Sequence, residues 1–289
     1  MNKKTSIIIM FAFFVTALSW MPVNAQQNVR DLRGDVNYDD EVDINDATDL
    51  IDYVLTGDWG DSTETSDTYS NKVFGVLGDS FTQANKWQKT MCELLGAKLI
   101  GVEGPSVGGI GGGRYGGDDP AKWALTQAQN LYSYCSANNL IPDYILVCNG
   151  TNDIANMWSD GGNQMGAFNP NATAADIGNS LVIDKAHMIA GMQATFLYLQ
   201  DKFPNAVILV GNTPGGWLHT SSNYIYLPFT HCFEENLKMV CNFYGIEFID
   251  NYFCIPQGSS NVDNSGHPTE IGHQRIGEYM ATMLMNRMR

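Results

Sequence analysis

Apolar residues follow two alternating textures through the C-terminal three-quarters of the chain. Short runs rich in β-branched and other large apolar residues occupy positions 73–77, 98–102, 144–148, 206–210 and 246–249. After each run comes a longer stretch compatible with a helix: 83–95, 120–137, 174–202, 230–244 and 270–288. Phe203-Pro204-Asn205 is a fitting stop between the third of these and the fourth short run. Five strands, each followed by a helix, predict an α/β fold in which a five-stranded parallel sheet is covered on both faces, a three-layer α/β/α sandwich. In such sheets ligands bind beyond the carboxyl ends of the strands, where the strand order reverses. Residues just after the first, second, third and last strands are therefore the ones to search for chemistry.

The N-terminal quarter reads differently. Lys3 and Lys4, an apolar stretch over 7–18 and the small-residue site Val23-Asn24-Ala25 have the form of an export signal covering residues 1–25. That stretch is too short to span a bilayer, and no later one reaches the ~20 apolar residues a span needs. An exported protein, periplasmic or extracellular, is expected. Residues 30–67 then hold thirteen Asp/Glu against two Arg, within a chain whose formal net charge is −15. Nucleic acid is excluded as a partner, because phosphate binding needs basic patches.

Within that acidic stretch, Asp35, Asn37, Asp39, Asp43 and Asp46 fall at positions 1, 3, 5, 9 and 12 of a loop, with the Glu41 carbonyl at position 7. This is the spacing with which a twelve-residue loop wraps Ca²⁺. Ala47, Leu50, Ile51, Val54 and Leu55 then form one helical stripe. Loop and helix together (26–57) resemble a single repeat of a dockerin. Asp40 stands where an EF-hand has Gly, and Asp46 where it has Glu. A dockerin carries two repeats and this chain one, which weighs against a cohesin-like partner. Residues 58–70 are small and polar and read as a linker. The remaining 71–289 form the large domain, and 44% hydrophobic content gives it ample material for a core. Its six cysteines are expected to be mostly free: Cys148 sits in an apolar strand, and Cys232 and Cys241 lie about 13.5 Å apart if they share one helix.

Three motifs occur in order: Gly78-Asp79-Ser80 after the first strand, Gly150-Thr151-Asn152-Asp153 after the third, and His267-Pro268 after the last. All three would lie on one sheet edge. With these motifs the region 71–289 resembles the SGNH (GDSL-type) hydrolases: lipases, esterases and carbohydrate deacetylases of flavodoxin-like fold. The resemblance implies a serine esterase needing no cofactor for its chemistry. Ser80 would be the nucleophile and His267 the base. The Asn152 side chain and a glycine amide, Gly109 or next Gly108, would hold the oxyanion. Acylated carbohydrate, or another small ester, is the substrate class the resemblance implies.

The family places an Asp three residues before the His. This chain has Asn264 there and Asp263 one residue earlier. Asp263 is expected to orient His267 directly, across a longer turn eased by Gly266. A backbone carbonyl in that role, or a weak or silent enzyme acting in glycan binding or surface assembly, is the alternative. Gly104-Pro105-Ser106-Val107-Gly108 matches a nucleophile elbow, but a glycine run follows it where a helix should. Gly111-Gly112-Gly113-Arg114-Tyr115-Gly116 matches a dinucleotide-binding turn without the helix or the later acidic residue. Asn149-Gly150-Thr151 is a sequon at a strand end and reads as incidental. Trp158 and Trp217 are placed in loops on the active edge, and the histidines outside the motif, His273 on the last helix among them, show no metal spacing.

Overall fold

The computed structural model describes residues 69–101, 108–159, 165–214, 227–255 and 260–286. The export signal, the calcium loop (Asp35, Asn37, Asp39, Glu41, Asp43 and Asp46), most of the linker, the Gly104–Val107 part of the elbow motif and Trp217 lie outside these residues.

Five parallel strands form one sheet: β1 (Val73–Gly78), β2 (Lys98–Leu99), β3 (Tyr144–Cys148), β4 (Val207–Gly211) and β5 (Glu247–Ile249). Their order is β2-β1-β3-β4-β5. The order reverses between β1 and β3, so the crevice beyond their carboxyl ends is the natural ligand site. Register pairs Gly78, the last residue of β1, with Cys148, the last residue of β3. The segments that follow, one led by Asp79-Ser80 and the other by Asn149-Gly150, therefore leave the sheet side by side.

The helices are α1 (Ser80–Gln83), α2 (Trp87–Leu94), α3 (Ala124–Asn138), α4 (Thr151–Ser159), α5 (Met188–Lys202), α6 (Leu227–Tyr244) and α7 (Glu270–Asn286). Because side chains alternate across a strand, each strand feeds both faces. Ile145, Val147, Ile208 and Val210 pack with Leu131, Phe196, Leu199, Phe233 and Leu237 of α3, α5 and α6. Tyr144, Leu146, Leu209 and Ile249 pack with Met91, Ile276, Met280 and Leu284 of α2 and α7. Each fully buried large side chain contributes roughly 1.5–3 kcal/mol of transfer free energy. Two apolar faces on one sheet explain the near-continuous hydrophobic strands and the three layers.

The sequence reading needs several corrections: the strand expected over 98–102 is only Lys98–Leu99, and the helix expected over 120–137 opens as a 3₁₀ turn at Pro120–Lys122 before α3 begins at Ala124. The helix expected over 174–202 is a 3₁₀ turn at Ala174–Gly178, then irregular chain, then α5 from Met188. Gly178 and Asn179 are weak helix formers, and Asn179 Oδ1 accepts the Leu181 N–H, a local bond that competes with the helix. The stretch 83–95 is divided by Asn85 at φ 52°. Residues 151–159, where Trp158 was expected in a loop, form α4, so Trp158 belongs to a helix. All six cysteines are free, and no helix among the described residues is long and apolar enough to cross a membrane.

Candidate active site

Ser80 opens α1, and Asp79 caps it by accepting the Phe81 N–H at 3.1 Å. The Asp79 carbonyl accepts from Thr82 and Gln83 at 3.1 and 3.0 Å, which tightens the turn directly beneath the serine. Asp79 is 2% exposed. Burial pushes its carboxyl up to about 6, against the opposing pull of Thr151 and the Phe81 amide.

Gly109 lies against this turn. It bridges Gly78 in parallel, with the Ile110 N–H donated to the Gly78 carbonyl at 2.9 Å. A Cβ at Gly109 would stand 2.0 Å from Gln83 N and 2.4 Å from the Asp79 carbonyl oxygen, so only glycine brings this backbone so close to the serine turn. Nothing in the sequence alone could set that register.

Asn152 and Asp153 sit in the first turn of α4. Asn152 Nδ2 donates to the Gly113 carbonyl at 3.0 Å. Asp153 accepts the Tyr115 N–H at 3.0 Å and the Gly116 N–H at 3.2 Å. The glycine-rich segment is thereby fastened to α4 by both residues. Burial raises the Asp153 carboxyl to about 7, opposed by those two amides and by Arg114. The Asn149 sequon is closed: its side chain is 1% exposed and donates to Gln127 Oε1 at 3.4 Å.

His267 ends a tight turn. Gly266 N donates to the Asp263 carbonyl at 3.0 Å, Asp263 N donates to the His267 carbonyl at 2.8 Å, and Gly266 sits at φ 86°, where a side chain would be strained. Pro268 bridges Val262, and Thr269 Oγ1 then accepts the Gly272 N–H to cap α7. His267 Nε2 lies 2.9 Å from Ser80 Oγ across 187 residues of sequence. The Phe81 ring meets the imidazole edge-on at 5.5 Å between centroids, which restrains its rotation.

Asp263 does not contact the imidazole in the direct manner expected. Its Oδ1 accepts the Ser265 hydroxyl at 2.6 Å, the Ser265 N–H at 2.8 Å and the His267 N–H at 3.0 Å. The partner at His267 Nδ1 is Ser265 Oγ, at 2.8 Å. The longer turn created by having the acid at position 263 leaves room for one hydroxyl between carboxylate and ring. Ser265 escaped the sequence reading, although Asp263, Ser265 and His267 at every second position were a usable signal. The bonds from Ser265 hold the Asp263 carboxyl below its ordinary value, with the His267 N–H adding to them, so it is ionised.

The other described histidines do not join this group. His273 is buried on α7, where desolvation pulls it down to about 4. His187 pairs with Asp184 at 3.1 Å. Among the described residues no cluster of three or more His, Cys, Asp or Glu is placed to hold a metal.

Beyond the carboxyl ends of a parallel sheet, the Ser80 hydroxyl and the His267 imidazole stand in contact, and the Asn152 amide lies in the first helical turn after β3, an α/β fold with a candidate catalytic pair. The profile of the GDSL-like lipase/acylhydrolase family matches residues 76–275, a span that takes in Ser80, Gly109, Asn152 and His267. The chain belongs to this family. One solved structure is similar at a TM-score of 0.52 with 16% identity, covering 75% of this chain and 98% of that one. A protein from Lactobacillus plantarum gives 0.49 at 16% identity, covering 75% and 96%. A carbohydrate acetylesterase family member from Sinorhizobium meliloti gives 0.49 at 14% identity, covering 74% and 97%. Among curated proteins none matches the chain.

Proposed function

We propose that this protein is an exported serine esterase that removes small acyl groups from esters, chiefly those of carbohydrates, through an acyl-enzyme on Ser80. The observation that carries the reading is the 2.9 Å contact between Ser80 Oγ and His267 Nε2, within the range a general base requires. Ser80 Oγ attacks the acyl carbon while His267 Nε2 takes its proton. The oxyanion is held by the amides of Ser80 and Gly109 and by the side chain of Asn152. His267 returns the proton to the departing alcohol, and the same base then activates the water that cleaves the acyl-enzyme.

His267 is exposed and Ser80 only half-buried, so the reacting hydroxyl lies where a bulky hydrophilic alcohol can approach. That exposure, together with the export signal in the sequence, supports a glycan ester over a lipid. The alternative of a silent glycan-binding protein rested on Asn264 in the acid's place. With Ser265 and Asp263 supplying the hydrogen bonding at His267, the esterase reading is the stronger.

Purified mature protein should hydrolyse aryl acetates and acetylated oligosaccharides, and Ser80→Ala should reduce kcat at least ~10⁴-fold. Turnover by Ser80→Ala at the parent rate would end this reading.

A further inference from the structure

We infer that Ser265 is the residue that positions His267, and that Asp263 acts on the imidazole only through the Ser265 hydroxyl, in a four-member chain Ser80–His267–Ser265–Asp263. The inference rests on the esterase reading for its kinetic consequences, and on geometry alone for its structural ones.

The hydrogen count fixes the direction of every bond. An ionised Asp263 has no proton to give, so the 2.6 Å contact must use the single hydroxyl hydrogen of Ser265. Ser265 Oγ can then only accept from its other neighbour. His267 Nδ1, 2.8 Å away, must therefore carry the ring proton. A neutral imidazole has one N–H, so Nε2 is bare and faces Ser80 Oγ at 2.9 Å as an acceptor. The chain thus selects the tautomer that general-base catalysis needs.

When Ser80 gives its proton to Nε2, the Nδ1–H bond to Ser265 Oγ strengthens and the Ser265 hydrogen stays directed at Asp263. No proton need pass to the carboxylate. Asp263 also accepts the Ser265 and His267 backbone N–H groups, so the same carboxylate shapes the turn that aims both side chains. Asp263→Asn keeps an acceptor oxygen for those amides and removes the charge.

The test uses the full mature chain with ¹⁵N-labelled histidine, comparing the parent with Ser265→Ala, Ser265→Thr, Asp263→Asn and the Ser265→Ala/Asp263→Asn pair. In the parent, His267 should show a protonated Nδ1 and a bare Nε2, and Ser265→Ala should lose that preference while Ser265→Thr keeps it. On aryl acetate, Ser265→Ala should reduce kcat about 10²-fold with KM little changed. This is less than the ~10⁴-fold cost of a wrong tautomer in a protease triad, because no competing partner fixes the ring the wrong way. Ser265→Thr should recover most of that loss. The double variant should be no more than a few-fold worse than Ser265→Ala, since both changes interrupt one path.

Unchanged tautomer and unchanged kcat in Ser265→Ala, or losses that multiply in the double variant, would overturn the inference. A parent without esterase activity would instead defeat the functional reading, and the ¹⁵N comparison would still decide the role of Ser265.

Discussion

Asn152 donates its side-chain amide to the Gly113 carbonyl at 3.0 Å. One of the two Nδ2 hydrogens is thus committed to the glycine-rich segment, which holds the amide plane still and leaves the second hydrogen for a ligand. The same turn of α4 carries Asp153, whose bonds to Tyr115 and Gly116 tie down the segment from a second point. Asn152→Ala should therefore reduce kcat by about 10²–10³-fold with a small change in KM, the mark of a donor used in the transition state. A rise in KM alone would assign Asn152 to ground-state binding.

Much of this was legible in the chain. Tyr144–Cys148 and Val207–Gly211 read as strands because a sheet covered on both faces leaves almost every strand residue apolar. The order of Ser80, Asn152 and His267 was enough to place them on one edge. What was hidden depended on local competition. Gly150 to Asp153 look like turn formers, and only Ile154 and Met157, buried three residues apart, reveal the helix they begin. Ser265 is one polar turn residue among several, and its role appears only once the turn closes. The glycine register was illegible because it is set by tertiary approach to α1.

Gly109→Ala places a methyl group against three backbone atoms of residues 79–83, none of which can swing aside. The α1 turn must shift and carry Ser80 with it. We expect a loss of about 3 kcal/mol in stability and at least ~10²-fold in kcat. Gly111→Ala is the matched control, because its methyl would meet only the end of the Gln83 side chain. Equal effects from the two substitutions in thermal unfolding and kinetics would contradict the close approach at Gly109.

Asp153 should leave a signature in the pH dependence of stability. Burial raises its carboxyl from 3.8 to about 7, so the folded state holds the proton more tightly than the unfolded. Its contribution is present below about pH 4 and is lost as pH rises through about 7. Asp79, raised to about 6, has the same sign, whereas His273, lowered to about 4, has the opposite one. The comparison of parent with Asp153→Asn isolates the one group. Relative to the parent, the variant's Tm should improve steadily between about pH 4 and about pH 8. A constant Tm difference across that window would show that Asp153 stays ionised.

We propose that residues 35–46 take one Ca²⁺ through Asp35, Asn37, Asp39, Asp43, Asp46 and the Glu41 carbonyl. Clustered carboxylates repel one another, so a divalent counter-charge should bind among them favourably. Calorimetry should show one binding event that Asp35→Ala/Asp39→Ala abolishes, with esterase activity indifferent to chelation. Absence of Ca²⁺ heat would leave the stretch as a solvated acidic tail.

The covalent intermediate is the most direct test of all. Treated with a fluorophosphonate, the protein should gain the mass of a single adduct, and peptide mapping should place it on Ser80. Labelling should collapse in His267→Ala, which lacks the base. A protein that stays unlabelled, or one labelled at another serine, would contradict the assignment of Ser80 as nucleophile.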